Sequence, residues 1–371
     1  MNLTLHLTNR CNLACTYCFV AWGELRMTAD TAKRAVDFAI TKGSPTGILF
    51  YGGEPLLERD VIYQTVAHAE EIRKQTGHQF SYKITTNGIL LDEDFLKFSK
   101  SVNLAIGFSH DGPAQDDCRF FPDGSPSSGV LADKIPLLLH YQPYAIGMGV
   151  LDASVVHKAT DMVKFLRRSG FRYMTLNLNY DSPWTQADFE VLGREYEKLA
   201  KLYYNWTLDE QKFYLSPFDQ KILSHVKGEA YNIDRRKMSQ NQPSIAPDGT
   251  IFPGSRYVDD SAFAIGDVWT GIDEERQVFF VDKGTIPLDV CKTCTIQSRC
   301  NYAYDMLARR DEAFAIDVSP VQCVHEKLLT PIADKLAENL YSQGSALFMH
   351  KHYNEMFPFL SALEEGMLSN T

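Results

Sequence analysis

The chain has no run approaching the ~20 apolar residues of a membrane-spanning helix, and its first residues lack the basic-then-apolar order of a secretory signal. Both absences predict a cytosolic (cytoplasmic) protein with no membrane partner. Cations are outnumbered, with 37 Lys and Arg against 47 Asp and Glu and a formal net charge of −10. That balance argues against a nucleic-acid partner, because phosphate recognition needs clustered Lys and Arg. Cysteine is missing from the whole stretch between Cys118 and Cys291. The eight cysteines instead include a C-x3-C-x2-C group near the start and a C-x2-C-x5-C group near the end. In a cytosolic chain such grouping indicates metal rather than disulfides. Apolar material is plentiful: 44% hydrophobic and 12% aromatic residues over 371 positions suffice for a packed core and more than one domain.

The segment Arg10-Cys11-Asn12-Leu13-Ala14-Cys15-Thr16-Tyr17-Cys18-Phe19 is the strongest chemical signal. Thiolates are soft ligands, and three at this spacing suit three corners of an iron–sulfur cube with the fourth iron left open. A structural zinc would need four closed ligands, and no nearby Cys or His supplies the fourth; His6 lies on the preceding strand at poor spacing. A second signal, Gly52-Gly53-Glu54-Pro55, ends the short apolar strand Gly47–Tyr51. Glycines there let a ligand approach bare backbone, and Glu54 adds an acceptor for a cation or amine; a plain strand-to-helix turn is the alternative.

The cysteine motif resembles the signature of the radical S-adenosylmethionine (SAM) superfamily. The resemblance implies a [4Fe-4S] cluster on Cys11, Cys15 and Cys18 whose open iron is chelated by SAM, with Tyr17 as the aromatic residue before the third cysteine. Gly52, Gly53 and Glu54 match the motif that holds the SAM amino group.

Along the chain, Leu3–Leu7 reads as a first strand and Thr28 as the N-cap of a helix. Nothing precedes that strand, so no separate N-terminal peptide-recognition domain is expected. Further strands fall at Tyr82–Thr86, Leu104–Phe108, Ile146–Leu151 and Tyr173–Leu178, alternating with helices over Leu57–Lys74, from Asp92, and over Ser154–Arg168. This alternation predicts an α/β fold, a partial (β/α)6 TIM-like barrel with functional residues at the strand C-termini.

Ser109-His110-Asp111-Gly112-Pro113, followed by Asp116 and Arg119, looks like a segment of anaerobic sulfatase-maturing enzymes and related peptide-modifying radical SAM proteins. By that resemblance Thr85, Asn87 and Ser109 contact the SAM carboxylate and ribose. Asp111 can equally be a turn residue, His110 reads as a surface or turn histidine, and Cys118 as an unligated thiol.

Beyond Pro183 the strand rhythm stops, with helices over Glu190–Trp206 and Pro217–Val226. The aromatics Tyr203, Tyr204, Trp206, Phe213 and Tyr214 read as core rather than as a substrate channel. Expected domains are a barrel over 1–182, a helical bridge over 183–235, a cysteine module over 236–330 and C-terminal helices over 331–371.

The module opens with a hairpin turning at Pro247-Asp248-Gly249 and a short strand region Ala264–Val268, followed by Cys291, Cys294, Cys300 and Cys323. Four thiolates at this spacing suit zinc or a closed [4Fe-4S] cluster. The arrangement resembles the SPASM domain, an α+β module, and implies one auxiliary [4Fe-4S] cluster on these four residues. Where the family has the cysteines of a second, inner cluster, this chain has Gly254 and Tyr304, so that cluster is expected absent. The sulfatase-maturase base, an Asp after the first of those positions, is replaced by Ser255.

The resemblance implies a radical SAM oxidoreductase acting on a peptide or protein, as in maturation of ribosomal peptides by oxidation or side-chain crosslinking, with an electron donor such as flavodoxin or ferredoxin. The alternatives are a small-molecule dehydrogenase and a sulfatase maturase. A non-catalytic electron carrier is disfavoured by the Gly-Gly-Glu-Pro motif. No catalytic acid or base is named.

Overall fold

The computed structural model describes residues 1–43, 45–228, 242–285, 289–300, 307–310, 313–316 and 319–357. Six strands alternate with helices: β1 (Asn2–His6), α1 (Ala29–Ile40), β2 (Thr46–Tyr51), α2 (Arg59–Thr76), β3 (Phe80–Thr86), α3 (Glu93–Ser101) and β4 (Leu104–Ser109). After β4 come the short helices α4 (Gln115–Cys118), α5 (Ser128–Ala132) and α6 (Lys134–Tyr141), then β5 (Ile146–Leu151), α7 (Ala159–Arg168) and β6 (Tyr173–Leu178). All five neighbour pairings from β1 to β6 are parallel.

Alternation sets the two faces. Leu3, Leu5, Ile48, Phe50 and Ile84 share one face through the strand register and are at most 2% exposed. Burying each such side chain contributes roughly 1.5–3 kcal/mol, which fixes register because a one-residue slip would turn the apolar set to the other face. Thr28 caps α1 as expected, its side chain accepting from Thr31 N at 3.1 Å.

The segment after β6 differs from the expectation of helices alone. Between α8 (Gln186–Leu208) and α9 (Phe218–Lys227) lies β7 (Tyr214–Ser216), paired parallel to β6. Three residues are too few for a period-2 pattern to stand out in sequence. On the other side of the sheet β8 (Ser244–Ile245) pairs parallel with β1, Thr4 opposite Ser244. The expected hairpin then forms: β8 and β9 (Thr250–Phe252) are antiparallel, with Gly249 at φ 93° in the turn. β10 (Gly266–Asp267) and β11 (Gly271–Ile272) extend the same sheet, so barrel and hairpin share one β-structure.

The cysteine region follows, with α10 (Glu274–Thr285), α11 (Asp289–Lys292), the separate hairpin β12 (Leu307–Arg310) and β13 (Ala313–Ile316), then α12 (Pro320–Ser342) and α13 (Ala346–Tyr353). The aromatic cluster is core as expected at Tyr203 and Phe213, 0% and 7% exposed with ring centroids 4.8 Å apart. Tyr304 and the part of the expected C-terminal helices beyond 357 lie outside the described residues. Among the described residues no helix is long and apolar enough to cross a membrane.

Candidate active site

The cysteine loop is laced to its surroundings by backbone hydrogen bonds. Leu7 N donates to Tyr51 O at 2.9 Å, Gly53 N to Thr8 O at 2.7 Å and Glu54 N to Arg10 O at 2.8 Å. On its other side Ala14 N donates to Phe120 O at 2.8 Å and Thr16 N to Cys118 O at 2.9 Å. So held, Cys11, Cys15 and Cys18 face one cavity of about 440 Å³ at the strand C-termini. That volume lies in the range of small-molecule sites. Tyr17, Gly52, Gly53, Thr85, Asn87 and Ser109 line the same cavity. Among the residues expected to hold SAM, Glu54 alone does not.

Glu54 is 0% exposed, and its carboxylate accepts from Leu56 N at 2.9 Å, Thr86 Oγ1 at 2.7 Å and Asn87 N at 2.8 Å. Burial pushes its pKa up, against the pull of those donors. The expected amine acceptor is therefore a clamp joining the end of β2 to the end of β3. The glycines have a further reason. A Cβ on Gly53 would stand 2.0 Å from Arg10 O, and one on Gly52, at φ 120°, 2.6 Å from Thr8 O. Close backbone approach demands glycine here whatever the ligand. Asn87 reaches across as well, its Nδ2 donating to Asn12 Oδ1 at 2.7 Å and lying 3.7 Å from Cys11 Sγ.

The Ser109–Arg119 segment holds a buried polar hub, and of the two roles open to Asp111 in the sequence it takes more than that of a turn residue. Asp111 is 0% exposed; it accepts from Val150 N at 2.8 Å and Arg119 Nε at 3.0 Å, and the Tyr17 hydroxyl donates to it. His110 is buried rather than at the surface, and its Nδ1 accepts from Gly112 N at 2.8 Å. Burial holds its pKa down at about 4, so it stays neutral. Cys118 is buried beside the cysteine loop, its carbonyl accepting from Thr16 N, with its thiol pushed up to about 11 by burial.

Cys11, Cys15 and Cys18 line one cavity as three soft donors, a set that suits an iron–sulfur centre. Burial pushes the Cys11 thiol up to about 12 and raises Cys15 as well. As free side chains they would be protonated at neutral pH, and a bound soft cation is what turns such a set into thiolates. Among the described residues no three Cys, His, Asp or Glu close in as a shell for a single ion. A multi-iron cube spreads its thiolates more widely than one ion does.

The far wall of the cavity comes from β6, α9 and α12, and includes Asn177, Gln220, Lys221, Gln322, His325 and Glu326. These residues carry no motif and were not found in the sequence. Lys221 and Glu326 form an ion pair with both side chains 2% exposed, linking α9 to α12. Lys221 also donates to Arg299 O at 3.1 Å. Gln322 Oε1 is buried with no hydrogen-bond partner among the described residues, an acceptor on a residue that lines the cavity. Behind this wall, Cys291, Cys294, Cys300 and Cys323 line a second, much smaller cavity of about 30 Å³, and Glu326 lines both. Ser255 is not at the active cavity; its hydroxyl sits 3.0 Å from Ser244 Oγ.

A three-cysteine loop at the mouth of a parallel barrel, beside a glycine-walled chamber, defines a class. Residues 5–125 match the family model described as the Radical SAM superfamily, and this part of the chain is a radical SAM domain. That domain implies SAM and a [4Fe-4S] cluster, and the loop and chamber fit both. Among particular relatives, the cysteine-type anaerobic sulfatase-maturating enzyme of Clostridium novyi is 24% identical over 272 residues, covering 68% of this chain and 72% of that protein. A Methanocaldococcus jannaschii protein is 29% identical over 180 residues, 48% of this chain, and the match spans 62% of its length. The solved structure of native anSMEcpe with bound AdoMet and Cp18Cys peptide superposes with a TM-score of 0.75 at 18% identity, covering 92% of this chain and 99% of that one. Streptococcus suis SuiB bound to precursor peptide SuiA gives 0.58 at 15%, covering 86% and 75%. At such identities the structures show a shared fold alone.

Proposed function

We propose that the protein is a radical SAM oxidoreductase that abstracts hydrogen from a peptide or protein substrate, leading to oxidative modification or side-chain crosslinking of the kind that matures ribosomal peptides. The observation carrying this reading is the chamber itself, in which three loop cysteines and two glycine backbones face an amide-bearing wall across about 440 Å³. When bound, the SAM–cluster pair supplies a 5′-deoxyadenosyl radical strong enough to attack an unactivated C–H bond; the protein supplies binding, orientation and exclusion of water.

In this reading Cys11, Cys15 and Cys18 hold the cluster, and Gly52, Gly53, Thr85, Asn87 and Ser109 bound the SAM site. Cys291, Cys294, Cys300 and Cys323 hold one auxiliary [4Fe-4S] cluster behind the wall, placed to relay electrons, and the external donor is a flavodoxin- or ferredoxin-like protein. Gln322 offers its buried Oε1 to a substrate N–H or O–H. The fold shared with structures that contain a bound peptide supports a macromolecular substrate.

The likeness to the Clostridium novyi enzyme favours a second reading, a sulfatase maturase. Ser255 weighs against it, since no carboxylate stands at that position. Incubation with SAM, dithionite and candidate peptides, followed by mass spectrometry, separates them. Loss of 2 Da from a small precursor peptide encoded beside the gene supports the first reading, and formylglycine in a sulfatase-derived peptide the second. Formation of no 5′-deoxyadenosine sinks both.

A further inference from the structure

The three loop cysteines do not share one environment. Cys11 meets neutral donors, with Leu13 N at 3.4 Å and Asn87 Nδ2 at 3.7 Å from its sulfur. Cys18 is exposed. Cys15 stands near a charge: Arg119, 7% exposed, lines the same cavity, and the residue before it accepts through Cys118 O from Thr16 N, next to Cys15, at 2.9 Å. Behind the guanidinium sits Asp111, fully buried and salt-bridged to it at 3.0 Å.

Both charges are fixed in place. The bonds Ala14 N to Phe120 O and Thr16 N to Cys118 O run the Arg119 segment alongside the cysteine loop. Val150 N anchors the other Asp111 oxygen at 2.8 Å. The Tyr17 ring lies 5.2 Å from the Arg119 guanidinium carbon, while its hydroxyl binds Asp111. Tyr17, two residues along the loop from Cys15, thus braces both members.

A cluster's reduction potential responds to net charge and to hydrogen bonds on its sulfurs. In a buried setting opposite charges at unequal distance do not cancel, because Coulomb terms fall with distance and screening is weak. We propose that Arg119 and Asp111 form an opposed pair that sets the reduction potential of the cluster on Cys11, Cys15 and Cys18, with Tyr17 as the brace that keeps the pair aligned. The proposal rests on the reading that these cysteines hold a cluster. All three are positioning residues acting through Cys15. A nearby cation favours the state that has gained an electron, and an anion disfavours it.

The test is a redox titration without SAM, followed by the electron paramagnetic resonance signal of the reduced cluster, in full-length reconstituted protein whose Cys291 and Cys294 are replaced by Ala to remove the second signal. Arg119→Gln is expected to shift the midpoint to lower potential, Asp111→Asn to higher potential, and Arg119→Lys to fall between wild type and Arg119→Gln. Tyr17→Phe, the mildest change, is expected to lower the midpoint by less than Arg119→Gln, and it stands as the test if the charge variants fail to take up iron. Shifts of Arg119→Gln and Asp111→Asn in the same direction, or an unmoved midpoint in Tyr17→Phe, overturn the proposal while leaving the cluster reading intact. Absence of any loop-cluster signal in the parent protein overturns both.

Discussion

At the scale of single residues, Glu54 and Gly53 show how a functional motif can be built for structural reasons. Glu54→Ala would strand three buried donors at about 1–3 kcal/mol each. The expected outcome is a loss of several kcal/mol in urea unfolding of the metal-free protein; an unchanged midpoint would mean that the clamp carries no load. Gly53→Ala forces a Cβ to 2.0 Å from Arg10 O and must displace the cysteine loop. On the proposed two-cluster reading, iron per chain is expected to fall from about eight to about four.

The motif residues were legible because their chemistry is unusual at close spacing. Asp111 was not, since an aspartate before Gly-Pro reads equally as a turn, and only the fold brings Tyr17 and Arg119 to it. Lys221 and Glu326 were still further from view, 105 positions apart in sequence.

Four buried histidines add a pH dependence. Burial lowers the pKa of His6, His110 and His352 to about 4 each and that of His325 to about 3. A depressed pKa means that the unfolded chain binds protons the folded one refuses, so their contribution is full above about 6.5 and is lost as pH falls toward 4. Each unit of difference corresponds to about 1.4 kcal/mol. Denaturant unfolding of the metal-free protein between pH 7 and 5 is expected to show falling stability, with His110→Gln flattening the slope; a level profile would contradict it.

At the scale of elements, periodicity carried most of the barrel. β5 and β6 begin and end where alternation places them, because both faces of each strand have a fixed destination. Short pieces escaped: β7 and β8 have three and two residues and owe their strand character to neighbours rather than to their own pattern. The Thr28 cap was readable from residue type alone. Thr28→Ala is expected to cost about 1 kcal/mol, typical of a lost N-cap, measurable in the same unfolding assay.

At the scale of the whole molecule, the cysteine module is tied to the barrel through the β8–β1 pairing and to the helical bridge through the buried Lys221–Glu326 ion pair. Removing one partner of such a pair is expected to cost roughly 3–5 kcal/mol, because the other charge is left buried. Glu326→Leu should therefore be much more destabilising than the double change Lys221→Met with Glu326→Leu. Equal losses would show that the pair does not couple α9 to α12. The wall it builds divides the large chamber from the four-cysteine cavity. This division of space could not be read from a linear chain.

Everything functional depends on a cluster in the N-terminal loop with one iron free to meet SAM. The most direct measurement is the electron paramagnetic resonance spectrum of dithionite-reduced protein, carrying the Cys291→Ala and Cys294→Ala changes, before and after SAM is added. A [4Fe-4S]-type signal whose g-values move on addition of SAM, and which disappears in Cys15→Ala, is the predicted result. A signal indifferent to SAM, or one that survives loss of Cys15, would contradict it.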